Sequence, residues 1–209
     1  MASFQSTALR LAATASGALP VVAALAGCSH IKAAFQSPDS SPPAHIVHLS
    51  DEQQGTLYQQ QGVIAKQDYL RLVKIQDGID RTQKVSDGDV AFIAHQLNAR
   101  PAQDTSKNVV QAQDLVLWHT YASPGHKPKQ LTPSQRGHLY DAILPYTSSS
   151  DQAVQVNASL ALAGTRDPRA IKVLEHMAQS SQYSLVRLDA KAWLKRLREV
   201  GVTTDKTNR

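Results

Sequence analysis

Cysteine occurs once in the 209 residues, at Cys28. A lone cysteine excludes an internal disulfide. Catalytic signatures are missing too: there is no Gly-rich phosphate loop, no Gly-x-Ser-x-Gly and no His-Glu-x-x-His. Strand signals are few, since short β-branched pieces such as Val109-Val110 lie inside longer patterns of helical spacing. Basic residues are not interleaved with aromatics in the way that single-strand binders use, which argues against nucleic acid as a partner. A membrane-spanning helix needs about 20 clean apolar residues. The run Leu11 to Ala26 is short and is interrupted by Ser16, Gly17 and Pro20.

What is present begins with that run. Arg10 precedes it with no acid alongside, and small residues follow it in Leu25-Ala26-Gly27-Cys28. A positive start, an apolar stretch and small residues at the cut are the layout of a secretory signal. The tetrapeptide resembles the lipobox of bacterial lipoproteins. That resemblance implies that residues 1–27 are a signal peptide and that Cys28 is the lipidation site, carrying a diacylglyceryl thioether and an acylated amine. A single acyl chain holds a protein only marginally, at ~0.8 kcal/mol per buried methylene, whereas two or three chains on one residue anchor it firmly. Ser29, where the family often carries Asp for inner-membrane retention, implies sorting to the outer membrane of a Gram-negative envelope, on its periplasmic face. An ordinary secretory signal cut near Ala26 is the alternative.

Loss of the signal leaves about 180 residues, enough for one domain plus a tether. Arg10 is the only charge removed, so the chain stays mildly basic. Residues 28–49 hold the Ser/Pro-rich stretch Ser37-Pro38-Asp39-Ser40-Ser41-Pro42-Pro43, which offers little to bury and denies backbone hydrogen bonds, and they are expected to form a flexible tether. His45 and His48 at its end lack the rigid third ligand that a metal site needs. Residues 50–200 are expected to form the folded domain and 201–209 a disordered tail. Lys191, Lys195, Arg196, Arg198, Lys206 and Arg209 cluster near the end and read as a solvated helix face.

The domain is expected to be all-α. Capping signals recur at Ser50 with Gln53, Ser86 with Asp89, Thr132-Pro133 with Gln135, Ser150-Asp151 and Asp167-Pro168. Apolar spacing agrees: Val90, Ile93, Ala94 and Leu97 share a face, as do Leu139, Ala142, Ile143 and Tyr146. In the last helix, Val186, Ala190, Trp193 and Leu197 line one face while Leu185, Leu188 and Ala192 widen it, which predicts neighbours on more than one side. Trp118 and Trp193 are expected in the core. Between Leu57 and Ile75 one or two helices are expected, with Gly55 and Gly62 obscuring the break and Asp77-Gly78 as the end.

The helices are expected to pair as 87–97 with 108–121, 133–146 with 151–163, and 168–179 with 184–199. Val154, Val156, Ala158 and Leu162 align with Val186, Leu188, Ala190 and Leu194 at a spacing of 32 residues, a period typical of helical repeats. Upstream, Val110 can be set against Val154 at a spacing of 44. Gly164 is expected to stop one helix and Asp167-Pro168-Arg169-Ala170 to open the next. This turn resembles that of HEAT-like repeats of the phycobilin lyase type, with Thr165 and Arg166 inserted between the Gly and the Asp. The resemblance implies a short α-α superhelix of helix pairs.

No constellation of residues announces chemistry. His119, His126 and His138 lie around the irregular loop 123–128, with Asp141 beyond, but no spacing fixes them together. Asp114 lies among apolar neighbours, where an acid can have a raised pKa, but a capped or solvent-facing Asp is commoner and is the expected reading. Glu175 and His176 are adjacent and point apart on a helix. The expected function is a membrane-anchored envelope lipoprotein whose helical domain is a protein-interaction scaffold, with an envelope protein as partner, no cofactor and no metal. The alternatives are a ligand-binding or lyase-like enzyme with a pocket near Trp118 and His119, or a structural lipoprotein touching cell wall or lipopolysaccharide.

Overall fold

A computed structural model describes residues 49–82, 84–121 and 131–203. Among them are eight α-helices and no strand. The helices are α1 (Asp51–Gln60), α2 (Lys66–Thr82), α3 (Asp87–Asn98), α4 (Lys107–Tyr121), α5 (Pro133–Ile143), α6 (Gln152–Thr165), α7 (Arg169–Ser180) and α8 (Ser184–Glu199), with a 3-10 turn over Leu144–Ser148. The signal segment, Cys28, the tether histidines and the loop carrying His126 lie outside the described residues.

Consecutive helices pack as the pairs α1/α2, α3/α4, α5/α6 and α7/α8, and the second helices stack in the order α2, α4, α6, α8. In the other layer α3 packs on α5. The result is an α-α superhelix of two helical layers. Short connections hold each pair together, as in helical hairpins generally. The expected pairings are those observed.

The first helix of each of the first three pairs opens with a reciprocal capping box: Ser50 with Gln53, Ser86 with Asp89, and Thr132 with Gln135. Each satisfies two amides that the first helical turn leaves without partners. The fourth pair differs. Asp167 Oδ1 accepts from the Arg169 amide at 2.9 Å, and Pro168, at φ −56° and ψ −27°, leads directly into α7. In α6 the cap is Asp151, whose Oδ1 accepts from the amides of Ala153 and Val154.

Two expected boundaries move, and one that was left open is settled. The break between α1 and α2 is at Gly62, whose φ of 68° suits glycine, and Val63 is buried behind it. Gly55 stays inside α1 because α2 comes close: a Cβ there would lie 3.0 Å from the Tyr69 ring. Asp77-Gly78 does not end α2, which continues to Thr82 with Gly78 facing open space. Nor does Gly164 stop α6. The helix runs on to Thr165, and Arg166 takes the left-handed cap at φ 55°, ψ 24°. A side chain in that conformation costs roughly 1–2 kcal/mol. At the far end, Gly201 (φ 78°) and Val202 close α8, with the Val202 amide donating to the Leu197 carbonyl at 3.0 Å.

Burial fixes how the second helices correspond. Val154, Ala158 and Leu162 of α6 and Val186, Ala190 and Leu194 of α8 are all buried at the expected spacing of 32. In α4 the matching buried residues are Ala112, Val116 and Thr120, a spacing of 42 rather than 44. Val110 is only partly buried, so the apolar match that suggested 44 joined a flank to a core position.

The corrected register brings three polar side chains into one position. Gln113 donates to the Pro101 carbonyl, Gln155 to the Ser149 carbonyl and Arg187 to the Ser181 carbonyl, each at 2.6 Å. In every case the second helix of a pair ties down the chain that enters it. Gln155 also accepts from the Ser181 hydroxyl at 2.9 Å, linking two successive pairs. Tyr146 makes a comparable link in the first layer: its hydroxyl lies 2.6 Å from the Leu97 carbonyl and 2.7 Å from that of Arg100.

The core runs the length of the array. Its largest fully buried side chains include Leu72 and Ile79 of α2, Ile93 and Leu97 of α3, Leu117 of α4, Leu139 and Ile143 of α5, Leu162 of α6 and Leu174 of α7. Helix α6 is buried almost all round, and the small residues Ala158, Ala161 and Ala163 let neighbours approach it. The outer side of α8 is not covered as the broad stripe predicts. Leu188 is 66% exposed and Ala192 is exposed. Trp118 and Trp193 are both half-buried rather than core residues.

Candidate functional site

The open side of the second layer carries the most unusual chemistry among the described residues. Helical spacing places Gln111, Asp114, Leu115 and Trp118 on one half-buried face of α4. Asp189 and Trp193 stand one turn apart on α8. Between them α6 contributes Asn157 and Ser159.

Asp114 meets α6 directly. The Asn157 amide donates to its Oδ1 at 3.1 Å. Burial raises the Asp114 pKa to about 7; the Asn157 hydrogen bond opposes this and the nearby Asp151 charge adds to it. The sequence reading preferred a solvent-facing or capping Asp114, and the stacking of α4 on α6 overrides that. Asp189 binds the other flank of α6. Its Oδ2 accepts from the Ser159 hydroxyl and, at 3.0 Å, from the Trp193 indole N–H. Burial raises this carboxyl as well, against those two hydrogen bonds. Two acids therefore pin neighbouring second-layer helices to α6 through neutral partners.

His119 lies on the opposite flank of α4. Its Nδ1 is hydrogen-bonded to Gln76 Oε1 of α2, and its ring meets that of Tyr69 edge-on at 5.9 Å. Tyr69 in turn packs edge-on against Tyr58 at 5.2 Å. Burial lowers the His119 pKa to about 4, so the imidazole is neutral near pH 7. Burial likewise raises Tyr69 to about 12.

The histidines and acid flagged in the sequence are not brought together. His119 belongs to the α2–α4 joint. His138 and Asp141 line a shallow groove of about 360 Å³ between α3 and α5, with Val90, Ala91, Ala94, Asn98 and Ala142. Asp141 Oδ1 is taken by Arg169 at 3.1 Å. Glu175 pairs with Arg198 at 3.0 Å. Among the described residues, no three His, Cys, Asp or Glu side chains are grouped so as to hold a metal ion, and no helix is long and apolar enough to cross a membrane.

Sequence reasoning did not single out Asp189, Asn157, Ser159 or Arg166. A faint signal existed for Asp189, an acid within the apolar spacing of the last helix and four residues before Trp193. Comparison with known protein families, with curated proteins and with solved structures found no match for this chain.

Proposed function

We propose that the chain is a lipid-anchored protein of the bacterial envelope and that its helical array, HEAT-like in its repeat and turn, is a scaffold for a protein partner. Cys28, placed after a signal-like segment and in Leu25-Ala26-Gly27-Cys28, carries this reading. The order of the chain supports it: about 20 Ser/Pro-rich residues separate Cys28 from the first capping box at Ser50, long enough to hold the array roughly 25 Å from a surface. The half-buried tryptophans Trp118 and Trp193 on the second layer favour a protein partner, because aromatic side chains contribute much of the binding energy at interfaces. An enzyme using Trp118, His119 and Asp141 draws less support, since His119 is committed to Gln76 and Asp141 to Arg169.

Mass spectrometry of the mature protein tests the anchor. The expected product begins at Cys28 with a diacylglyceryl thioether, and Cys28→Ala leaves the membrane fraction. A mature chain with a free Cys28 thiol sinks the reading. Cross-linking in cells from position 118 or 193 tests the scaffold. A defined envelope protein should be captured, and capture should fall with Trp118→Ser or Trp193→Ser while the helical content stays unchanged.

A further inference from the structure

The last two joints of the second layer are built alike. Helices α6 and α8 each reach back to the preceding helix with a polar side chain from the same register position. Asn157 of α6 donates to Asp114 of α4 at 3.1 Å, and Asp189 of α8, 32 residues after Asn157, accepts from the Ser159 hydroxyl of α6. The receiving helix presents its forward flank. On α6, helical spacing puts Val156, Ser159 and Ala163 on that flank. Val156 is half-buried, Ser159 fully buried and Ala163 buried. On α4, Asp114 and Leu117 stand 42 residues before Val156 and Ser159, and Leu117 is fully buried.

Helix α8 has no successor among the described residues. At the matching positions, 32 residues after those of α6, it carries Leu188, Lys191 and Lys195, all exposed. The terminal repeat of an array that faces only water is ordinarily polar on its outer side. Leu188, at 66%, is instead the most exposed large apolar side chain among the described residues, and Ala192 is exposed one turn on.

The charges of α8 decide what fits this flank. Three of its cations are engaged elsewhere: Arg187 with the Ser181 carbonyl at 2.6 Å, Arg198 with Glu175 at 3.0 Å and Arg196 with Glu199 at 3.5 Å. Its Asp189 is turned back to Ser159 and the Trp193 indole, so this acid does not offset the lysines. Lys191 stands beside Leu188 with no ion-pair partner among the described residues, and Lys195 lies one turn further along the same flank. A second copy of the chain does not suit it, because a two-fold contact on this flank sets lysine against lysine. Residues 204–209 hold no apolar side chain to lay on Leu188.

We propose that the forward flank of α8 is a docking face for an acidic amphipathic helix of a partner protein, which adds to the stack as the next second-layer helix. Its apolar stripe covers Leu188 and Ala192, and two carboxylates one turn apart meet Lys191 and Lys195. The pattern is already present one joint earlier: an acid of the incoming helix stands to Lys191 as Asp189 stands to Ser159. The proposal rests on the scaffold reading and names the class of partner and the end of the array that takes it.

Two synthetic peptides of about 16 residues, the length of α8, test the face on the purified full chain. Both carry one Leu/Ala stripe, flanked by Glu in one and by Lys in the other, and binding is read by fluorescence anisotropy. The Glu peptide should bind at least about tenfold more tightly than the Lys peptide. Leu188→Ser should weaken it several-fold at unchanged Tm, since the side chain is exposed, and Lys191→Glu should abolish the preference for Glu. A photo-cross-linker at position 188 in cells then locates the natural occupant. The expected cross-link falls in an acidic amphipathic helix of a second protein and is lost in Lys191→Glu. Equal binding of the two peptides, or a Leu188→Ser variant that binds as the wild type does, overturns the proposal. So do cross-links from 188 to lipid, to a second copy or to residues 29–48 of the same chain. Capture of a protein from 118 or 193 with none from 188 overturns the end face alone; capture from none of the three sinks the scaffold reading with it.

Discussion

The joint between α2 and α4 is closed by a half-buried base, and the joint between α4 and α6 by a half-buried acid. His119 sits against Gln76 and Tyr69 with its pKa lowered to about 4 by burial. Asp114 sits against Asn157 with its pKa raised to about 7, also by burial. The same physical cause acts on two groups of opposite charge type, so the two joints respond to pH in opposite directions. For His119 the folded pKa lies below its unfolded value near 6.5, so its stabilisation is present above that pH and is lost as pH falls toward 4. For Asp114 the folded pKa lies above its unfolded value near 3.8, so its stabilisation is present below that pH and is lost as pH rises through 7. Asp189, also raised, adds to the second trend.

The largest effects should come from packing and should show whether the two halves are energetically separate. Leu162 of α6 and Leu72 of α2 are both fully buried. Replacing either with Ala should cost about 2–5 kcal/mol by denaturant unfolding. The distribution of the damage should differ. Helix α6 packs against α4, α5 and α8, whereas α2 packs mainly against α1 and α4. Hydrogen exchange should therefore show Leu162→Ala loosening helices on every side, and Leu72→Ala loosening α1 and α2 while α6 to α8 stay protected. Uniform loosening in both variants would mean that the array unfolds as one unit and that the comparison of halves has no energetic content.

Asp114→Asn comes next. The amide can keep the contact to Asn157 without a charge to desolvate. Stability should rise by about 2–4 kcal/mol at pH 8 and change by less than about 0.5 kcal/mol at pH 4. An equal gain at both pH values would show that packing, not ionisation, sets the effect. His119→Phe probes the other joint. Between pH 7 and pH 4 the wild type should lose about 2–3 kcal/mol through this imidazole, and the variant should lack that part of the slope. An unchanged slope would place the acid sensitivity elsewhere.

The two halves also differ in how far their sequence disclosed them. Capping chemistry was legible throughout, because a capping box is local: Ser50, Ser86 and Thr132 each act on residues within three positions. The 32-residue spacing of buried positions was legible at the C-terminus, in α6 and α8, and the corresponding spacing was misregistered in α4, where Thr120 and Gln113 occupy core positions that apolar matching ignores. Asp114 and Asp189 were obscure for a related reason. Their partners are 43 and 30 residues away, and no local pattern announces a polar contact made by stacking. Arg166 was misjudged because Gly164 looked like the helix stop; the cap is set two residues later, by where α7 must begin.

The smallest effects test whether the three recurring polar side chains are equivalent in energy as well as in place. Gln155 is buried and serves both the Ser149 carbonyl and the Ser181 hydroxyl, so Gln155→Leu leaves two polar groups without partners and should cost about 1–3 kcal/mol. Arg187 is half-buried and holds one carbonyl, that of Ser181, which water can reach once the side chain is shortened. Arg187→Leu should therefore cost about 0.5 kcal/mol or less by thermal unfolding. The ratio matters more than either value. If Arg187→Leu proves as costly as Gln155→Leu, the last pair depends on its tie as strongly as the buried third pair does. The exposed side of α8 would then owe its order to that one contact rather than to the core beneath it.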